Sequence, residues 1–136
     1  MTPVGGEELR FDHSPFMRFL GLQIVRAEKG LVEIRLPFRE EFIRHDGSDW
    51  LHGGVVSALA DIAGDYAVIT ETRTGVPTID MRVDYHSAAM PGDLTARGKV
   101  IKLGSQFATS EAQVFDSQGK LLASGRGTYF TAPPKS

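Results

Sequence analysis

Hydrophobic and polar positions alternate along most of this chain. Val32, Ile34, Leu36 and Phe38 interleave with Leu31, Glu33, Arg35 and Pro37. A period of two marks a strand with one covered face, and residues 22–38 read as two strands turned at Glu28-Lys29-Gly30. Ile79, Met81, Val83 and Tyr85 interleave with Asp80, Arg82, Asp84 and His86, which predicts a strand over 78–86. Residues 94–102, 107–115 and 120–130 predict three more strands, joined by hairpin-like segments at Leu103-Gly104-Ser105 and Asp116-Ser117-Gln118-Gly119. Ala108, Ser110 and Ala112 share one face, as do Ala123, Gly125 and Gly127. Small residues at such positions let a helix approach the sheet closely.

Two segments break the alternation. Ser14-Pro15 predicts a short helix over 16–20, because Ser caps well, Pro is tolerated at the first helical position and Gly21 stops it. Residues 55–70 are the long helical candidate, apolar on nearly every side, and such a helix should be buried. Residues 40–51 have no period and read as a loop. One apolar helix followed by four strands predicts an α+β domain whose antiparallel sheet curls around that helix. Residues 1–13 read as a flexible N-terminal tail, 14–131 as the domain and 132–136 as a flexible end.

Composition narrows the function. The 136 residues suit one domain, and 41% hydrophobic with 24% charged is ordinary globular composition. Fifteen basic and 17 acidic residues, net charge −2, leave no broad basic field for nucleic acid or an anionic membrane. An anionic ligand must then be held by a local cluster. The absence of cysteine excludes disulfide scaffolds, thiolate zinc sites and cysteine nucleophiles. The first ten residues lack the apolar run of a signal peptide, and the apolar stretch over 55–69 is short and interrupted by Asp61 and Asp65. The expectation is a cytoplasmic domain that spans no membrane. His13, His45, His52 and His86 lack the paired spacing of a metal site, so no metal is expected. No P-loop, dinucleotide fingerprint or Gly-x-Ser-x-Gly elbow is present.

Asp61 is the residue that fits its surroundings least. It lies mid-helix among Ala, Leu and Ile, where a carboxylate needs a partner, a wet cavity or a function. Asp65, four residues on, shares its face, and two such carboxylates repel and raise one pKa. Gly53-Gly54 at the helix start leaves N–H groups uncovered for a carbonyl or anion, unless it is simply a tight turn. His52 reads as a base, a ligand or a loop residue.

Together these residues carry a resemblance. His52-Gly53-Gly54-Val55-Val56-Ser57-Ala58-Leu59-Ala60-Asp61 resembles the active-site motif of hotdog-fold acyl-CoA thioesterases of the phenylacetic-acid-pathway (PaaI-like) branch. Phe19-Leu20-Gly21-Leu22, Asp84-Tyr85-His86-Ser87 with Pro91-Gly92-Asp93-Leu94, and Gln118 to Ala123 with Gly127-Thr128-Tyr129 extend it over most of the chain. The resemblance implies a curved sheet around one central helix, and hydrolysis of an acyl-CoA to free acid and coenzyme A with no separate cofactor. It implies that Gly53 and Gly54, chiefly the Gly54 N–H, polarise the carbonyl. Asp61 then attacks that carbonyl or deprotonates a water. A free Asp has a pKa of about 3.9 and is a weak base near neutrality, which leaves both roles open. The two halves would meet across a homodimer, paired again into a tetramer. Thr78 matches a hydroxyl that assists the nucleophile or water. Asp46 stands where relatives carry Asn or Gln, and a carboxylate cannot donate to an oxyanion. The implied coenzyme A contacts are His86 and Ser87, and Lys102, Gly104 and Ser105. Arg97, Lys99 and Arg126 read instead as cross-strand partners of Glu111 and Gln113. The competing reading is a non-catalytic acyl-CoA-binding or sensing domain. A dehydratase or a DNA-bound repressor lacks its motif here.

Overall fold

The computed structural model describes Leu9 and residues 14–132. Most of the two predicted tails lies outside the described residues, but Leu9 is buried in the core rather than loose. Helix α1 spans Pro15–Leu20; the Ser14 hydroxyl accepts the Met17 N–H, and Gly21 ends the helix with φ 75°. A six-stranded sheet follows from β1 (Gln23–Glu28), β2 (Leu31–Leu36), β3 (Thr78–Tyr85), β4 (Leu94–Leu103), β5 (Phe107–Phe115) and β6 (Leu121–Phe130). Its order is β1-β2-β4-β5-β6-β3, every pairing antiparallel. Helix α2 (Gly53–Thr72) packs against one face of it.

The expected closeness of helix and sheet is present at backbone level. Gly98 of β4 faces Ala63 of α2 so closely that an added Cβ would fall on the Ala63 carbonyl oxygen. The buried Ser110 hydroxyl donates to the Gly64 carbonyl at 2.8 Å. Gly64 has no room for a methyl either, since one would sit 2.8 Å from that hydroxyl. Ser110→Ala removes one buried hydrogen bond and should cost about 1 kcal/mol, read as a lower denaturant midpoint at unchanged slope.

Three details differ from the sequence reading. Helix α2 starts at Gly53, two residues before its apolar run, because the His52 ring caps it. It runs to Thr72, closed by Arg73 at φ 62°, and its 20 residues are by length and composition enough to cross a bilayer. Its apolar surface is instead largely consumed by the core, from Val56 to Thr70. The segment expected to be a loop holds a 3-10 turn, Glu40–Phe42, which buries Phe42. Ile43 bridges Leu51, and the Phe42 carbonyl accepts the His52 N–H at 2.8 Å. That pairing fixes where α2 begins. Finally, β3 is an edge strand, so Ile79 and Tyr85 are more than half exposed despite the alternation.

Candidate active site

Asp61 projects from the α2 face that the sheet leaves open. Ser57 and Ala58 lie three and four residues after Gly54 and four and three before Asp61, so all four share a helical stripe. With Met81 and Val83 of β3 they line an open groove of about 380 Å³. The Thr78 hydroxyl donates to Asp61 Oδ1 at 2.9 Å. Thr78 is aimed there by a bulge: the β3–β6 register slips between Thr78 and Asp80, and bulges re-aim side chains in this way. From below, the buried Tyr129 hydroxyl lies 3.4 Å from Asp61 Oδ1 and 3.3 Å from the Asp61 carbonyl oxygen. Burial, then the charges of Asp61 and Asp65, push the Tyr129 hydroxyl far above its usual pKa, so it stays a neutral donor. Two hydroxyls therefore fix the orientation of one carboxylate, whose remaining surface opens on the groove.

Tyr129 was not singled out from the sequence. It lies on the inward parity of β6 with Ala123, Gly125 and Gly127, where a tyrosine reads as core. The signal was its hydroxyl: a buried Tyr O–H needs a partner, and here it lies among the Ser110 hydroxyl, Met81 Sδ and Asp61.

The second half of the site is the start of α2. The Gly54 N–H donates to His52 Nδ1 at 2.8 Å, which puts the ring proton on Nε2. The Gly53 N–H has no hydrogen-bond partner among the described residues. Tyr85 donates its hydroxyl to the Gly53 carbonyl at 2.9 Å, tying β3 to the helix tip. A hollow of about 340 Å³ opens beside this tip, walled by Trp50, Gly53, Val56, Tyr85, His86 and Ser87. Uncovered N–H groups and the helix dipole there suit a carbonyl or an anion. Use of Gly54 as donor requires the His52 ring to turn aside, whereas the Gly53 N–H is ready.

One chain does not bring all the expected residues together. Gly54 and Asp61 are seven residues apart, about 10 Å along the axis, too far to grip one carbonyl from both sides. His86 and Ser87 sit at the helix-tip end of β3, where His86 Nε2 lies 2.6 Å from Ser124 Oγ. Lys102, Gly104 and Ser105 sit at the other end of the sheet, where the Gly104 carbonyl accepts the Thr131 hydroxyl. The length of β3, about 23 Å, separates the two groups. Asp46 is exposed in a turn with His45 and Gly47, lining a separate hollow with Glu40 and Glu41. Arg97 pairs in register with Gln113 and Lys99 with Glu111, as strand parity implied, and Arg126 lies 3.9 Å from Glu111. Among the described residues no three His, Asp or Glu side chains converge as a metal cage would require.

Known proteins are similar to this chain in sequence and fold. The Thioesterase superfamily model matches residues 50–123, which hold both halves of the site. A putative esterase of Saccharolobus solfataricus is 30% identical over 125 residues, covering 91% of this chain and 88% of that protein. The medium/long-chain acyl-CoA thioesterase YigI of Escherichia coli is 25% identical over 132 residues, covering 86% and 85%. Among solved structures, a thioesterase-superfamily protein at 46% identity superposes with TM-score 0.85 over 88% of this chain and 91% of that one. The E. coli PaaI protein from the phenylacetic acid degradation operon, at 21% identity, shares the fold with TM-score 0.82 over 92% and 89%. The family model over residues 50–123 and the 30% identity to the Saccharolobus esterase place this chain, with its long apolar helix against a six-stranded antiparallel sheet, in the thioesterase superfamily, as a hydrolase of hotdog fold.

Proposed function

We propose that the chain hydrolyses acyl-CoA thioesters to free acid and coenzyme A. The observation that carries this is the Asp61 carboxylate, held by Thr78 and Tyr129 and open to a groove on the stripe that begins at Gly54. The helix tip takes the thioester oxygen. Asp61 attacks the carbonyl carbon, or removes a proton from the water that does. When water attacks, its proton passes by way of Asp61 to the departing coenzyme A thiolate as the C–S bond breaks, and the acid is released. When Asp61 attacks, C–S cleavage leaves an acyl anhydride on Asp61, which a water then hydrolyses, restoring the carboxylate, freeing the acid and supplying the thiolate's proton.

The 10 Å gap between tip and carboxylate closes in a homodimer. Two copies related by a two-fold axis, paired along the β3 edge, set the Tyr85 end of one strand beside the Thr78 end of the other. Gly53 and Gly54 of one copy then face Asp61 of the second. The same operation brings the His86-Ser87 turn of one copy towards the Lys102–Ser105 hairpin of the other, as two ends of one coenzyme A contact. The exposed Ile79 and Tyr85 on that edge support this reading. Sedimentation should give at least a dimer at micromolar concentration; a stable monomer would remove the shared site.

The direct test is thiol release from a panel of aryl and aliphatic acyl-CoA substrates. Hydrolysis of any member supports the reading. Tight acyl-CoA binding without hydrolysis would make the chain an acyl-CoA sensor instead. Asp46→Asn, on an exposed turn, should change turnover by less than about twofold. A large loss would make Asp46 part of the chemistry.

A further inference from the structure

Asp65 is a half-buried carboxyl that this reaction leaves unused, and one of its oxygens is fully enclosed. It stands one turn beyond Asp61 on α2, so the two carboxyls share a face. Asp61 has hydroxyl donors from Thr78 and Tyr129. Asp65 has none to match among the described residues: its Oδ1 is enclosed by protein and has no hydrogen-bond partner there. An enclosed, unpartnered carboxylate oxygen is costly, and the like charge on Asp61 adds to that cost.

Burial first, and then the charge on Asp61, push the Asp65 carboxyl up to about 7. Among the described residues Asp61 is the charge that acts on it; the other ionisable neighbours there are the hydroxyls of Tyr66 beside it and Tyr129 from β6, both also pushed up. β3 offers α2 its Thr78, Met81 and Val83 side, while Asp80, Arg82 and Asp84 stand on the opposite parity, across from Thr128, Arg126 and Ser124. The sign of the linkage follows. A carboxyl whose pKa rises on folding contributes stability that is fully present below its unfolded value, about 3.9, and is lost as pH rises through the folded value. At pH 8 Asp65 is therefore a burden on the fold, with no contact to show for it.

Resting on the thioesterase reading of Asp61, we infer that Asp65 is a positioning residue for the reaction, whose ionised carboxylate crowds the negative charge on Asp61 and drives it toward the substrate carbonyl. Whether Asp61 attacks directly or takes a proton from water, negative charge leaves its oxygens and gathers on the thioester oxygen at the helix tip. Repulsion from Asp65 falls along that path, so the transition state gains on the ground state. A protonated Asp65 gives no such push.

The wild-type kcat should therefore rise with pH through the region of 7. Asp65→Asn should flatten that rise, lowering kcat about three- to tenfold at pH 8.5 with KM within about twofold and little change at pH 5.5. Asp65→Glu should keep the rise. Thermal melting at pH 8.5 should show Asp65→Asn more stable than wild type, and Asp65→Ser repeats the comparison if the amide packs badly. A merely structural Asp65 would leave the pH profile of kcat in place, and an unchanged profile in both variants overturns the inference while wild-type hydrolysis and its loss in Asp61→Asn keep the thioesterase reading intact. A wild-type chain that hydrolyses no thioester overturns both.

Discussion

Asp61→Asn should reduce thiol release by at least about 10²-fold, the usual cost of losing a general base. The amide keeps the size and polarity of the side chain, and the Thr78 hydroxyl, 2.9 Å from Oδ1, still has an oxygen to bond. Fold and association should be unchanged by circular dichroism and sedimentation. Binding of free coenzyme A, measured by calorimetry, should stay the same or tighten slightly, because a negative charge leaves a site that receives an anion. Loss of both activity and coenzyme A binding would point to a misfolded site, and retained activity would refute the assignment. Thr78→Val should fall between, since it frees the carboxylate to turn without removing it.

Gly98→Ala is the second large effect, on stability rather than rate. One methyl group at Gly98 would meet the Ala63 carbonyl and the Gly64 nitrogen of α2. Both are helix backbone, which cannot rotate away as a side chain would. The helix must lift from the sheet along its whole contact, at about 3 kcal/mol or more. That is a large fraction of the ~5–15 kcal/mol by which a domain is stable. Gly119→Ala is the control: it has open space around it but φ +86°, so only about 1–2 kcal/mol of backbone strain is expected. Urea midpoints that move equally for the two variants would show that helix and sheet are not in backbone contact at Gly98.

These two residues also show how unevenly the sequence discloses the structure. A period of two is a local signal, and it marked β2 and β3, while turn-bounded strand runs and small-residue faces marked the rest. Gly98 has the same role from the sheet side, yet a lone glycine within a strand does not say which helix residue it faces. The 3-10 turn at Glu40–Phe42 covers too few residues for any period to register. The helix start was displaced because Gly53 and Gly54 are poor helix formers, while the cap that holds them comes from the His52 side chain. In the site, Asp61 was visible because a carboxylate in an apolar helix is conspicuous. Tyr129 was not, since an aromatic in a strand looks ordinary until its hydroxyl is placed. The separation of Gly54 from Asp61 follows from helical rise alone, but only the fold shows which side of the helix the sheet leaves open.

The two margins of the sheet are unlike. Along β1 the ladder slips between Ile24 and Arg26, and Arg26 lies against Glu28 and Glu33, so this margin is bent and charged. Along β3 the ladder slips only at its start, between Thr78 and Asp80, and although Arg82 and Asp84 pair on it, the strand then continues in regular register to Tyr85, with Ile79 and Tyr85 exposed. Exposed strand margins are templates for runaway pairing, and bends and charges blunt them. A molecule with one receptive margin and one blunted margin cannot add copies end to end. Once two receptive margins meet head to head, what remains on both outer sides is the blunted kind, so growth stops at a closed pair instead of continuing into a fibre. In the dimer proposed above, the kink at Ile24 to Arg26 would act as a brake on polymerisation, set on the far side of the sheet from the chemistry.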